Sequence, residues 1–194
     1  MQSDFSVELG HDDETLTLPW AADEGGPRYY DLKRQPDLLL YIEEAQREKE
    51  LGAFLAAVNS PNSLLETAKC DAWCSTDINP EEEIFGASHK CGSYVDLIFS
   101  NGSSRFSLPE HETFAKRLTQ LLGRAPEMRA SAEFLIRRAF YQNAGVRDGF
   151  YITFYLFGYG HDEPQARKQW AIAVKLVENA IRQIGSTMTD LRRS

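Results

Sequence analysis

Apolar and polar side chains alternate, with the two-residue period of a strand, over Leu65–Asp77, Tyr94–Ser100, Ser131–Tyr141 and Phe150–Tyr159. Elsewhere the period lengthens to that of a helix. Leu38, Tyr41, Ile42 and Ala45, then Leu51, Phe54, Leu55 and Val58, share helical spacing behind Pro36, and the polar run Gln46–Glu50 is a place to break them into two helices. Ser107 and Glu110 form a capping box before the face of Phe114, Leu118, Leu121 and Leu122, which Gly123 ends. Asp162 and Gln165 do the same before Trp170, Val174, Val177, Ile181 and Ile184, with Gly185 expected to close the helix.

At the N-terminus Phe5, Val7 and Leu9, then Leu16, Leu18 and Trp20, alternate on either side of Gly10–Glu14, which predicts a hairpin. Residues 21–35, with Gly25, Gly26 and Pro27, read as a loop, and Arg105–Ser107 as a short strand. Loops are expected at Pro80–Glu83 and Asn143–Asp148. The expected architecture is one α+β domain with a mainly antiparallel sheet. A hairpin and loop (1–35) and a helical segment (36–59) precede two strand–strand–helix units (64–123 and 127–185) and a tail (186–194). Gly92-Ser-Tyr94 and Gly149-Phe-Tyr151 open equivalent strands. This order of elements resembles folds made by duplicating a strand–helix–hairpin module, among them small-molecule-binding domains of some bacterial regulators. The likeness lies in element order alone and assigns no site.

Alternation also divides the strands into two faces. One is apolar: Val95, Leu97 and Phe99, then Phe134, Ile136 and Phe140, then Ile152, Phe154 and Leu156. Arg138 interrupts it, which demands a strand end, an acidic partner or a bulge. The opposite face holds Lys69, Asp71 and Trp73 from the first strand and Tyr94 and Asp96 from the second. Glu133, Arg137 and Tyr141 come from the third, and Tyr151, Thr153, Tyr155 and Phe157 from the fourth. A merely solvated face would be Lys, Glu, Thr and Ser. Aromatic rings among fixed charges suit a ligand groove or a protein interface instead. Acids outnumber bases there, which favours a cationic or amphipathic ligand. The readings are a binding or assembly module, a homodimer without a ligand, or an enzyme using Asp71, Asp96 or Glu133 as acid or base. The bland alternative is that the N-terminal hairpin or the helix at 36–58 covers this face.

Composition narrows the partners. With 21 basic and 29 acidic residues the net charge is -8 and no basic stripe offsets it, so nucleic acid is not an expected partner. The most apolar stretch, Phe150–Phe157, is too short to span a bilayer, and no leader is visible, so membranes are excluded and a cytoplasmic setting is expected.

Motif chemistry is thin. Cys70, Cys74, His89 and Cys91 are zinc-type ligands, but residues four apart on a strand lie ~13 Å apart, too far to share one ion. Three cysteines without a leader instead predict reduced core thiols. Gly10–Glu14 and Gly160–Glu163 read as a turn and a helix start rather than acid–base sites. Phe157-Gly-Tyr-Gly160 lacks the third glycine of a dinucleotide loop and is followed by two acids, which argues against phosphate binding. No nucleophile motif is present, and neither a cofactor nor a metal is expected.

Overall fold

The structure, a computed structural model, describes residues 1–22, 26, 28–142 and 145–191, with the backbone alone at 81, 83–84 and 188–191. Residues 23–25 and 27 of the expected loop, 143–144 of the next, and 192–194 of the tail lie outside the described residues. Six strands, β1 (Gln2–Val7), β2 (Thr15–Leu18), β3 (Leu65–Ser75), β4 (His89–Phe99), β5 (Ala130–Tyr141) and β6 (Arg147–Gly160), form one sheet. Its order is β1-β5-β6-β4-β3, with β2 also on β5. The helices are α1 (Glu43–Arg47), α2 (Lys49–Val58), α3 (Leu108–Leu122) and α4 (Glu163–Leu191), and the fold class is α+β.

The sheet is mixed rather than mainly antiparallel. β3–β4, β4–β6 and β6–β5 are antiparallel, but β1 and β2 both run parallel to β5. The expected N-terminal hairpin does not form. β1 pairs with Ser131–Ile136 and β2 with Arg138–Tyr141, so the two lie end to end along one edge of β5. Gly10–Glu14 is an excursion from a single broken edge strand, not the turn of a hairpin. Its base is held by Arg137, whose Nε meets Glu8 at 2.7 Å and whose Nη1 meets Glu14 at 2.9 Å. Two ion pairs on one guanidinium keep the chain beside β5 where local alternation alone suggested a reversal.

All the long helices cover the apolar face. Phe54 from α2 and Phe134 from β5 both meet Phe154, at ring distances of 5.9 and 5.2 Å. α3 packs on β1, β6 and β5, and α4 lies along β6 and β4. Trp170 is 1% exposed and donates its indole N–H to Ser93 Oγ at 3.0 Å. The glycines of Phe157-Gly-Tyr-Gly160 serve this packing. A Cβ on Gly158 would overlap the backbone nitrogen of Trp170, and one on Gly160 would crowd that of Ala166.

Local signals are realised in part. Ser107 Oγ accepts the N–H of Glu110, Asp162 Oδ1 accepts that of Gln165 at 2.8 Å, and Gln165 Oε1 accepts that of His161 at 2.7 Å. The chain breaks between α1 and α2, and Pro36–Tyr41 is a 3-10 turn. Gly185 does not stop α4, which continues to Leu191, and Ser104–Phe106 is a 3-10 turn rather than a strand. Arg138 needs neither bulge nor buried partner. The β5–β6 register is unbroken, and Arg138 is simply exposed near the strand end.

The expectation of reduced thiols fails for two of the three cysteines. Cys74 and Cys91 form a disulfide across β3 and β4, with Cα atoms 4.0 Å apart. They are direct cross-strand partners whose side chains face each other at the short spacing of a non-hydrogen-bonded pair. Cys70 remains free, and burial pushes its thiol up to about 12.

Candidate functional site

β-pairing carries the expected aromatic and charged residues onto the face away from the helices. One row crosses four strands as Asp71, Tyr94, Tyr155 and Glu133. The next runs through Asp96 and Thr153, and Arg137 sits opposite Tyr151. α2 does not cover this face, and no hairpin forms, but Leu16, Leu18 and Trp20 of the segment expected to make one cover part of it. Its surroundings divide it into three parts.

The first part is sealed. Leu16, Leu18 and Trp20 pack there with Tyr29 and Phe106 around Tyr141 and Tyr151. Tyr151 is 0% exposed and Tyr141 4%, and both serve as core. The Tyr141 hydroxyl donates to the Phe150 carbonyl at 2.8 Å.

The second part is a buried polar knot. Thr153 donates its hydroxyl to Asp96 Oδ1 at 2.8 Å, and Arg137 Nη1 reaches the same hydroxyl at 3.4 Å. Burial dominates the Asp96 carboxyl and pushes it up to about 7. The Thr153 hydrogen bond opposes that shift, the nearby Glu14 charge reinforces it, and Lys69 and Arg137 oppose it.

The third part is open. Trp73, Tyr94, Tyr155 and Phe157 are half-buried and touch in sequence at ring distances of 6.0–6.5 Å. Phe85, from the 3-10 turn Pro80–Phe85, closes the far end by stacking on Tyr159 at 4.3 Å. Glu82 of that turn binds Lys90 at 2.8 Å and the Tyr159 hydroxyl at 2.9 Å.

Beside this row, at the free edge of β3, lies a cleft of about 670 Å³. Lys69, Asp71 and Tyr94 line it, joined by Trp20, Tyr30 and Tyr41 from the segment that precedes the helices. Glu43 and Glu44 of α1 complete the rim. A β-bulge between Thr67 and Cys70 turns the strand here, and it is why Lys69 reaches the Trp20 ring, 5.0 Å from its centroid. Burial, then the charges of Asp96 and Asp71, raise the Tyr94 phenol to about 12, so it stays a neutral donor in the cleft wall.

The edge of β3 is capped by side chains instead of a strand. Lys33 Nζ donates to the Leu65 carbonyl at 2.9 Å, Asn59 Oδ1 accepts the N–H of Thr67 at 3.0 Å, Trp20 Nε1 donates to the Ala68 carbonyl at 2.8 Å, and Arg47 Nη2 donates to the Ala72 carbonyl at 2.5 Å. A second, polar cavity of about 400 Å³ holds Lys33, Glu66 and Arg105. Arg105 pairs there with Glu66, and Lys33 gives its protons to Ser63, Leu65 and Ser100, which is structural work.

Of the expected residues, Lys69, Asp71 and Tyr94 meet in the cleft, with Trp73, Tyr155 and Glu133 on the open sheet beside it. Asp96, Thr153 and Arg137 form the knot, and Tyr141 and Tyr151 pack among Leu16, Leu18, Trp20 and Tyr29. Trp20, Tyr30, Tyr41, Glu43 and Glu44 were not foreseen as site residues, because a local period assigns a face within one element and does not say that separate elements meet at the edge of β3. Their only sequence signal is the density of rings at 20, 29, 30 and 41 in a stretch otherwise rich in polar residues. Among the described residues no three His, Cys, Asp or Glu side chains are grouped to hold a metal ion, and no helix is long and apolar enough to cross a membrane. Compared with protein-family models, curated proteins and solved structures, the chain matches none.

Proposed function

We propose that this chain is a non-catalytic binding module, and that an amphipathic, cationic ligand occupies the cleft at the edge of β3. The observation that carries the reading is the convergence of four rings (Trp20, Tyr30, Tyr41 and Tyr94) with three carboxylates (Glu43, Glu44 and Asp71) around about 670 Å³. That volume suits a small organic ligand. Rings and carboxylates attract a cation together, and two rings already carry one, Lys69 over Trp20 and Arg28 over Tyr30. Asp96, whose raised carboxyl pKa would suit acid–base work, is 3% exposed and lines neither of these two cavities.

Tyramine and its anionic counterpart, 4-hydroxyphenylpropionate, test the reading by calorimetric titration. Tyramine is expected to bind and the anion to bind at least about tenfold more weakly. Tyr41→Ala and Glu44→Gln, changes at the rim, should each weaken tyramine several-fold with melting temperatures near wild type. Equal affinity for the two compounds, or none for tyramine at ~10 mM, would refute it.

A second reading rests on the open row Trp73–Tyr94–Tyr155–Phe157. A half-exposed aromatic surface on a sheet is a surface that a second copy can cover, giving a two-fold homodimer. Sedimentation of wild type against Tyr155→Lys decides it, since a dimer through this row dissociates in the variant.

A further inference from the structure

Resting on the cleft reading above, we infer that the ligand presents a peptide backbone: the cleft takes a short, basic, extended segment that pairs with the edge of β3 at residue 70. β3 is an outer strand, and its outward-facing backbone groups alternate with those spent on β4. The outward set is identified by the caps already described, at Leu65, Thr67, Ala68 and Ala72. After the bulge the alternation restarts, so the N–H and C=O of Cys70, two residues before Ala72, point outward as well. Among the described residues no side chain caps them, and Cys70 lines the cleft. Every cap around the opening is supplied by the chain, and the gap between them is one residue wide.

That gap has the shape of a single rung of a ladder. One residue of an extended ligand would donate its N–H to the Cys70 carbonyl and accept the Cys70 N–H with its own carbonyl. Its neighbours would then be turned away from the edge, with their side chains on the two flanks of the cleft. Trp20, Tyr94, Glu43 and Glu44 are among the residues that line the cleft around it. Charge decides the occupant. Asp71 already has Arg47 beside it, but Glu43 and Glu44 at the rim and the chain's net charge of -8 favour a basic segment over a second, equally acidic copy of this chain at this edge.

The test compares Ac-Lys-Tyr-Lys-NH2 with its three singly N-methylated forms, with tyramine as the amide-free control. The tripeptide is expected to bind about tenfold or more tightly than tyramine. Methylation at one of the three nitrogens should cost about tenfold, while the flanking positions stay within about twofold, because only one N–H faces the edge. Cys70→Pro, which removes the outward N–H without touching the β3–β4 ladder, should weaken the tripeptide several-fold more than it weakens tyramine. If the three methylated peptides bind alike, the backbone inference is overturned while tyramine binding leaves the cleft reading standing. If neither compound binds, both fall. Self-association that Cys70→Pro abolishes would put a second copy on this edge and overturn the inference too.

Discussion

Asp96 accepts the Thr153 hydroxyl at 2.8 Å inside the sheet, on the face that no helix covers. A carboxyl so placed has little water to stabilise its charge, and its folded pKa rises from 3.8 to about 7. Below pH ~4 it is protonated in both folded and unfolded chains and costs nothing. As pH rises through ~7 the unfolded chain ionises first, so stability is lost across that window, by on the order of 4 kcal/mol at most. Asp96→Asn should therefore match wild type near pH 4 and exceed it near pH 8. Urea unfolding of the pair at both values measures this, and an unchanged difference between them would show that Asp96 is not proton-linked.

Arg137 is 11% exposed and holds both ends of the Gly10–Glu14 excursion. Arg137→Met should cost about 2 kcal/mol by stranding Glu8, while Glu14→Gln, at an exposed position, should cost less than about 1. Limited proteolysis between residues 9 and 14 should accelerate in the first variant only.

Trp170 and Gly158 are two sides of one contact. Trp170→Ala should cost about 3–5 kcal/mol through the lost ring and its bond to Ser93. Gly158→Ala should be similarly disruptive for the opposite reason, because α4 must lift off β6 to admit a methyl group. Chemical denaturation that finds Gly158→Ala near wild type would mean that α4 is not seated as described.

The Cys74–Cys91 bond closes a loop of 17 residues and should contribute about 3 kcal/mol by restricting the unfolded chain. Mass spectrometry after alkylation without reductant should find one modifiable thiol per unfolded chain, Cys70. Three would return the cysteines to the reduced state that their sequence context suggests.

What the sequence determined by itself is what depends on neighbours along the chain. Side chains two apart on a strand share a face whatever the strand pairs with, so Asp71, Tyr94, Glu133 and Tyr155 were legible as one surface before their row was known. Caps at Ser107 and Asp162 and the break before α2 are likewise set within a few residues. The tertiary structure decided everything that needs a distant partner. Leu16 and Leu18 alternate as well in a parallel edge as in a hairpin, and the former rests on distant partners: the β5 ladder, the packing on Tyr141 and Tyr151, and the two ion pairs of Arg137, more than 120 residues away. Cys74 and Cys91 are joined by register, which a one-residue slip would undo. The cleft itself needs an irregular segment, a bulge at Thr67–Cys70 and α1 to meet at one strand edge, and no periodicity encodes that meeting.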